Sequence, residues 1–338
     1  MNTQHALNRR HFIGFLGLAA GSSALALTPS RALAGFRLAD DPILAWDELS
    51  KGVHAMVDAS TGGNVLTVAS ADSVVLIDTK FAHLGRALLT DAQGFAPGDA
   101  KVVLINTHHH GDHTGGNGSI VPKAEASYAH ENALPRIKDS FSSVKASARQ
   151  AKKTVEGGGS VELIRSAIRT ERAAAKWQRT SIVPETGVSG EKTSITAGEL
   201  AMDLYHFGAG HTDNDLFVHI PEHNVLHTGD VVFNGLHSFF DQTAGYSTKG
   251  WVNSAKRGYE LCDADTIVIP GHGPVGDRSI LKAQSEYLEQ LIEAVQAEID
   301  KGTSKEATAN KSWPFMEGLG FEGIRGRAIN AVYDELAG

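Results

Sequence analysis

The sequence lacks three features that would assign it to a particular class of protein. It has a single cysteine, Cys262, so no disulfide can form within the chain, and its place near the end of a predicted helix indicates a buried, inert thiol. Acidic residues outnumber lysine and arginine by 39 to 31, whereas a protein that binds nucleic acid normally carries a basic excess. The uncharged apolar stretch at residues 12–27 is shorter than the roughly 20 residues that a membrane span requires. We therefore expect a globular protein that binds a small-molecule substrate and no nucleic acid.

The first 34 residues have the order of an export signal. Arg9 and Arg10 stand directly before the apolar stretch, and the small residues Ala32 and Ala34 define a predicted cleavage site. Paired arginines of this kind resemble a Tat-type signal peptide, which directs folded proteins across the membrane. The prediction is that residues 1–34 are removed, that the twin-arginine export machinery is a partner, and that the protein is periplasmic. An uncleaved membrane anchor is the alternative, and the oligomeric state stays open.

The densest group of metal-ligating side chains occupies six consecutive residues. It contains four histidines and one aspartate: His108, His109, His110, Asp112 and His113. The group follows an apolar run at residues 102–105 that predicts a buried strand, and a pair of glycines then turns the chain. Imidazole and carboxylate are ligands that zinc, iron and manganese take in proteins. A histidine-rich polar turn without a metal is the alternative interpretation.

Three further candidate ligands follow apolar runs later in the chain. His211, Asp230 and His272 each stand directly after a glycine and close to the end of a predicted strand. Glycine lets the backbone turn sharply and approach its neighbours closely at such a point. Because a sheet aligns the loops at its edge, ligands from four strand ends are expected to meet at one metal centre.

In their order, these residues resemble the metal signature of the metallo-β-lactamase fold superfamily. The resemblance covers about residues 50–300 and implies an α/β fold, an αββα sandwich in which two mixed β-sheets pack face to face with helices on both outer faces. The predicted domain covers residues 35–338, with a helical insertion at about 142–180 and a helical cap at about 278–338. The insertion is interpreted either as a lid over the site or as a solvated helical hairpin.

The resemblance also implies a role for each ligand. One metal ion would take His108, His110 and His211, the second would take Asp112, His113 and His272, and Asp230 would join the two. Asp112 is the predicted catalytic residue, and Asp78 matches an aspartate that is usually structural. One class of β-lactamases has cysteine in place of Asp230, whereas an aspartate there resembles glyoxalase-type hydrolases and an exported branch related to sulfur-oxidation-associated hydrolases.

Other histidines and aromatic residues receive weaker assignments. His109 stands between two ligands and is expected to point away from the metals, and His227 is expected to lie in the core or to support a ligand. The loop after Asp230 carries His237 and Tyr246, which are the predicted substrate-binding residues. Packing of that loop against the core is the alternative for both.

The sequence favours a metal-dependent hydrolase. With two Zn²⁺ ions, or iron or manganese in their place, a metal-bridging hydroxide would cleave an acyl bond in a β-lactam, lactone, ester or thioester. An iron oxidoreductase similar to the persulfide dioxygenases, with one iron held by two histidines and one aspartate, is the alternative. A non-catalytic metal protein is disfavoured because every ligand position is filled.

Overall fold

Twelve strands in two sheets form the centre of the computed structural model, which describes residues 44–58, 61–157 and 160–338. The predicted signal peptide lies outside these residues. The first sheet contains, in spatial order, β1 (Asp47–Ser50), β2 (Val53–Met56), β3 (Val65–Ala69), β4 (Ser73–Ile77), β5 (Lys101–Ile105), β6 (Ala126–His130) and β7 (Thr186–Val188). The second contains β12 (Ile267–Ile269), β11 (Val225–His227), β10 (Phe217–Ile220), β9 (Leu200–Tyr205) and β8 (Lys192–Ala197). Both sheets mix parallel and antiparallel pairs, since β4 to β7 are parallel, as are β11 and β12.

The central strands are apolar throughout because both of their faces are covered. In β4, Val75 and Ile77 point into the core between the two sheets, whereas Val74 and Leu76 point to the opposite face. Successive side chains of a strand point to opposite faces, so a strand buried on both faces has no polar positions to alternate with. β5 follows the same pattern, which explains the uninterrupted apolar runs in the sequence.

Helices cover both outer faces of the sandwich. They are α1 (Gly85–Phe95), α2 (Gly111–Thr114), α3 (Asn117–Ile120), α4 (Ala133–Gly157), α5 (Val161–Lys176), α6 (Thr248–Glu260), α7 (Ser279–Asp300), α8 (Lys305–Ala309) and α9 (Arg325–Ala337). α1 buries Leu84 and Leu88 against the first sheet. α6, α7 and α9 pack on the second sheet, where Leu281 and Ile329 join its core. The predicted αββα sandwich is confirmed.

The helical insertion is a hairpin of α4 and α5 that begins at Ala133, about nine residues before the predicted start. Ala133 and Ile137 are buried with Ala129 of β6 and with Trp177, which follows α5. These apolar contacts fix the base of the hairpin to the first sheet. In the part of the chain that the structure describes, no helix is both long enough and apolar enough to cross a membrane.

Cys262 lies just after α6 and is buried. Burial raises the pKa of its thiol to about 11, so the side chain carries a proton at neutral pH. This agrees with the interpretation of an inert thiol.

Candidate metal centre

The carboxyl ends of the parallel strands deliver the predicted ligands to one edge of the sandwich. β5 is followed by His108 and by the short helix α2, which carries Asp112 and His113. In the second sheet, Asp230 follows β11 and His272 follows β12. His211 enters from the loop between β9 and β10. Because β4 pairs with β5 and β11 with β12 in parallel, these loops leave their sheets in the same direction.

The structure brings all seven predicted ligands together in two groups. The first group consists of His108, His110, His211 and Asp230, and the second consists of Asp112, His113 and His272. Within each group the ligand atoms lie within 4.8 Å of one another.

Asp230 lies between the groups, and each of its oxygens faces one of them. Its Oδ2 is 3.6 Å from His108 Nε2 and 3.8 Å from His211 Nε2. Its Oδ1 is 3.1 Å from His113 Nε2 and 3.5 Å from His272 Nε2. A carboxylate placed in this way is able to hold one cation on each oxygen.

The donor atoms of the first group fit a metal ion. The Nε2 atoms of His108 and His211 are buried and have no hydrogen-bond partner, although buried polar atoms are normally paired. Two ligands on a tetrahedral zinc ion, each about 2.0–2.1 Å from the metal, lie roughly 3.3 Å apart. The separations around Asp230 are close to this value, so a metal ion would satisfy nitrogens that the protein leaves unpaired.

The electrostatics of the centre favour positive charge in the second group. Burial raises the pKa of Asp112, but the charge of His113 and a hydrogen bond from His272 outweigh burial and lower it to about 2. Burial lowers the pKa of His272, but the carboxylates of Asp230 and Asp112 outweigh burial and raise it to about 9. In the first group, burial and the neighbouring His113 hold the pKa of His108 well below its usual value, so its imidazole is neutral and free to donate a lone pair.

Two buried carboxylates orient the ligand histidines. Asp78, directly after β4, accepts hydrogen bonds from the backbone and hydroxyl of Thr107 and, at 2.7 Å, from Nδ1 of His113. Asp215 accepts from Nδ1 of His211 at 3.3 Å and from Thr212. Each bond fixes the histidine tautomer that turns Nε2 towards the metal. Asp78 matches its expected structural role, whereas Asp215 is missed by the sequence analysis.

Asp241 is a third orienting carboxylate that the sequence analysis misses. It accepts a hydrogen bond from Nε2 of His110 at 2.9 Å, which leaves Nδ1 of His110 as the ligand atom. Hydrogen bonds from His109 and His110 hold the pKa of Asp241 well below its usual value. His109 lies outside these two groups and forms a third cluster of possible ligand atoms with His110 and Asp241. Its Nδ1 is 3.2 Å from Oδ1 of Asn214, and its Nε2 is 3.5 Å from Asp241.

Glycines permit the close packing around the second group. A Cβ atom on Gly63 would lie 2.0 Å from the ring of His113, and a Cβ atom on Gly271 would lie 2.0 Å from Oδ1 of Asp230. The backbone oxygen of Gly63 also accepts a hydrogen bond at 2.8 Å from Nζ of Lys80, a fully buried lysine. Burial lowers the pKa of Lys80 to about 8 despite the nearby carboxylate charges of Asp58 and Asp112.

Replacing Gly271 with alanine is expected to displace the carboxylate of Asp230. Displacement of a reacting or ligating group by about 1 Å costs on the order of a hundredfold in rate, so kcat/KM should fall about a hundredfold and bound metal should decrease. Steady-state kinetics and metal analysis of the purified variant measure both. The matched control is Gly94→Ala in α1, where a Cβ atom meets nothing within 4 Å. Full activity in Gly271→Ala would contradict the close packing of Gly271 against Asp230.

A cavity of about 610 Å³ opens over the two ligand groups. Asp112, Asp230 and His272 lie on its floor, and four phenylalanines line its walls: the buried Phe233 and the exposed Phe81, Phe239 and Phe321. In the part of the chain that the structure describes, only four large apolar side chains are more than about a third exposed, and the three exposed phenylalanines are among them. Exposed apolar groups gathered at one site indicate a contact surface for an apolar ligand.

The two predicted substrate-binding residues lie outside this cavity. His237 is fully buried, with its Nδ1 3.2 Å from the Tyr287 hydroxyl and its Nε2 3.2 Å from Glu322. Tyr246 donates its hydroxyl hydrogen to the backbone oxygen of Ala331 at 2.7 Å. The polar groups of both residues pair with the C-terminal part of the chain and do not face the cavity. Phe321 and Ile324, from the C-terminal region, line the cavity instead.

The sequence matches a known protein superfamily. A profile of the metallo-beta-lactamase superfamily matches residues 60–272, which contain every ligand of both groups. The chain belongs to this superfamily. Metallo-beta-lactamase type 2 from Bacillus cereus is 27% identical over 89 residues, which are 26% of this chain and 35% of that protein. The match therefore spans about a third of that relative.

A longer match and two solved structures extend the comparison. The human protein named acyl-coenzyme A thioesterase MBLAC2 is 24% identical over 242 residues, covering 68% of this chain and 80% of that one. The structure of TMB-1 has a TM-score of 0.53 with 22% identity, covering 74% of this chain and 98% of that one. The sec-alkylsulfatase Pisa1 from Pseudomonas sp. has a TM-score of 0.63 with 17% identity, covering 86% of this chain and 50% of that one. These structures show that the superfamily fold is shared.

Proposed function

We propose that the protein is a zinc-dependent hydrolase that holds two zinc ions and cleaves an acyl bond. The observation that carries the proposal is the position of Asp230, whose two oxygens face two separate groups of ligands. His108, His110 and His211 would hold one ion, and Asp112, His113 and His272 would hold the other. Bound there, zinc would polarise a substrate carbonyl and acidify a water molecule.

Asp112 is the ligand best placed to act on the substrate as well. Its side chain is 26% exposed and lines the cavity, whereas the side chain of Asp230 is only 3% exposed. Because the pKa of Asp112 is about 2, it is a carboxylate at neutral pH and accepts a hydrogen bond from an attacking water molecule. This would orient the water towards a carbonyl carbon above the centre.

The cavity walls favour a neutral or apolar substrate. The described residues that line it include three exposed phenylalanines and neither lysine nor arginine. The anion of a sulfate or phosphate ester would have only the metal ions as partners, since the walls supply neither arginine nor lysine, the usual side-chain partners of these groups. An ester, lactone, thioester or β-lactam fits the walls better. The names of two relatives, a thioesterase and a β-lactamase, support the same class of bond.

Purified protein is expected to contain close to two zinc ions per chain and to hydrolyse at least one of a chromogenic ester, lactone, thioester or cephalosporin. Elemental analysis and initial rates on this panel measure both. Removal of metal by a chelator should abolish turnover, and added Zn²⁺ should restore it. Unchanged activity after verified metal removal would overturn the mechanism. One iron per chain together with oxygen uptake on a persulfide would support the oxidoreductase alternative instead, although seven ligands in two groups support two ions.

We further propose that the protein acts in the periplasm after twin-arginine export, which the pair Arg9 and Arg10 supports. Replacing both arginines with lysine is expected to hold most of the protein in the cytoplasm, because the export machinery reads the arginine pair. Fractionation of cells that express each form measures the distribution. Arg31→Lys, beyond the apolar stretch, is the matched control. Equal periplasmic amounts of the double variant and the unchanged protein would argue against this route.

A further inference from the structure

A second cavity, of about 540 Å³, lies between the helical hairpin and the loop that carries the metal ligands. Its size is within the range of small-molecule sites. It shares Phe81, Gly111 and Asp112 with the cavity over the metal centre, so the two cavities adjoin at these residues. We refer to this second cavity as the hairpin cleft. A substrate whose reacting group lies at the metals can therefore extend into the cleft.

Apolar side chains and the side chains of serine and threonine line the hairpin cleft. Phe81, Val144 and Ile182 contribute apolar side chains. The hydroxyl of Ser140 donates to the backbone oxygen of Ile137 at 2.7 Å, and that of Thr170 donates to Ser166 at 3.0 Å. Hydroxyl groups that bond to their own helix leave their methylene and methyl groups to face the cleft. The hydroxyls of Ser140 and Thr170 are therefore engaged within the hairpin, and Ser143 and Ser147 are its other hydroxyl-bearing residues that line the cleft.

The carboxylate that lines the cleft lies at its end next to the metal ligands. Asp112 is the acidic residue among its described lining residues, and lysine and arginine are absent from them. Burial and the nearby charge of Arg169 lower the pKa of His83, so its ring is neutral at physiological pH. A hydrocarbon chain needs no charged partner from this wall.

We propose that the hairpin cleft binds the unbranched hydrocarbon chain of the substrate's acyl group, with its carbonyl at the metal centre. This inference rests on the proposed hydrolase function and names its substrate class: medium-chain acyl esters, thioesters or lactones. Phe81, 41% exposed, lies at the junction of the two cavities and supplies the apolar contact between the carbonyl and the chain. The helical hairpin is then a wall of the binding site that limits the length of the acyl chain.

Hydrolysis of 4-nitrophenyl acetate, butyrate, hexanoate and octanoate tests the chain-length dependence. Burial of each added methylene is expected to raise kcat/KM about two- to fourfold up to octanoate. Ser143→Trp should fill the cleft and abolish the increase, while turnover of the acetate stays within about twofold. Ser142→Trp is the matched control, because Ser142 is the neighbouring exposed serine on α4 and does not line the cleft. Ser147→Trp, at a second lining position, provides the same test if the first variant misfolds.

Calorimetric binding of sodium octanoate and sodium butyrate to the zinc-loaded protein separates this inference from the proposed function. Octanoate is expected to bind at least tenfold more tightly than butyrate, and Ser143→Trp should remove the difference. Equal affinities, or ester hydrolysis that is independent of chain length, would overturn the assignment of the cleft and leave the hydrolase standing. Graded binding with no hydrolysis of any acyl substrate would support the cleft and overturn the hydrolase.

Discussion

Asp230→Ala is expected to leave the purified protein with at most one metal ion and to lower kcat/KM at least about a hundredfold. The carboxylate faces both ligand groups, with its oxygens 3.6 Å from His108 and 3.1 Å from His113. Without it, each group keeps three ligands, and the two cations lose the negative charge between them. Metal ions stabilise a transition state by several kcal/mol, and each 1.36 kcal/mol is a factor of ten in rate.

Asp230→Asn provides the comparison for this prediction. Asparagine keeps the shape of the side chain and one acceptor oxygen, so this variant should retain about one ion while still losing most activity. Metal analysis after dialysis, together with kinetics, measures metal content and activity in both variants, and each is expected to lose the second ion. If Asp230→Ala retains two ions and normal turnover, Asp230 does not join two metal sites.

Asp78→Asn is expected to weaken metal binding about 10- to 100-fold and to lower the free energy of unfolding by about 1–3 kcal/mol. Both carboxylate oxygens of Asp78 accept hydrogen bonds: one from the Thr107 backbone, the other from the Thr107 hydroxyl and His113. An amide nitrogen in place of either oxygen would face a donor, whichever way the amide is turned. Asparagine also tolerates the positive φ of 64° at this position, so backbone strain does not enter the result.

Competition with a metal-sensitive dye measures the affinity, and denaturant unfolding of the metal-free protein measures the stability. Asp91→Asn is the matched control, since Asp91 accepts a hydrogen bond from Trp46 and belongs to neither ligand group. Unchanged metal affinity together with reduced stability would show that Asp78 serves the fold alone.

The sequence was sufficient to predict the sandwich and the positions of the ligands. Runs such as residues 74–77 and 102–105 are apolar at every position, a pattern typical of strands buried on both faces, and a ligand-capable residue follows each central strand. The order of His108 to His272 along the chain then identified the superfamily. The start of the insertion was missed because Ala133 and Ile137 belong to a helix whose burial depends on β6, a tertiary contact.

The surroundings of the ligands were less predictable. Asp215 and Asp241 lie in irregular loops, where polar residues follow no period, and only folding brings them to His211 and His110. His237 was assigned to the pocket on the basis of its loop, yet its partners Tyr287 and Glu322 come from the C-terminal region. The local sequence pattern gives no information about partners that are distant in the chain.

The ligands of the metal centre come from loops of both sheets, so the centre is complete only when both sheets have formed. His113 and His272 approach to 3.5 Å although 159 residues separate them in the chain. No nascent chain that stops before β12 contains both complete ligand groups, because His272 is still missing. Contacts between distant residues form slowly, since a long loop must close first. A metal centre complete with all seven ligands is therefore a late product of folding, and retention of both metal ions would report that the two sheets have docked.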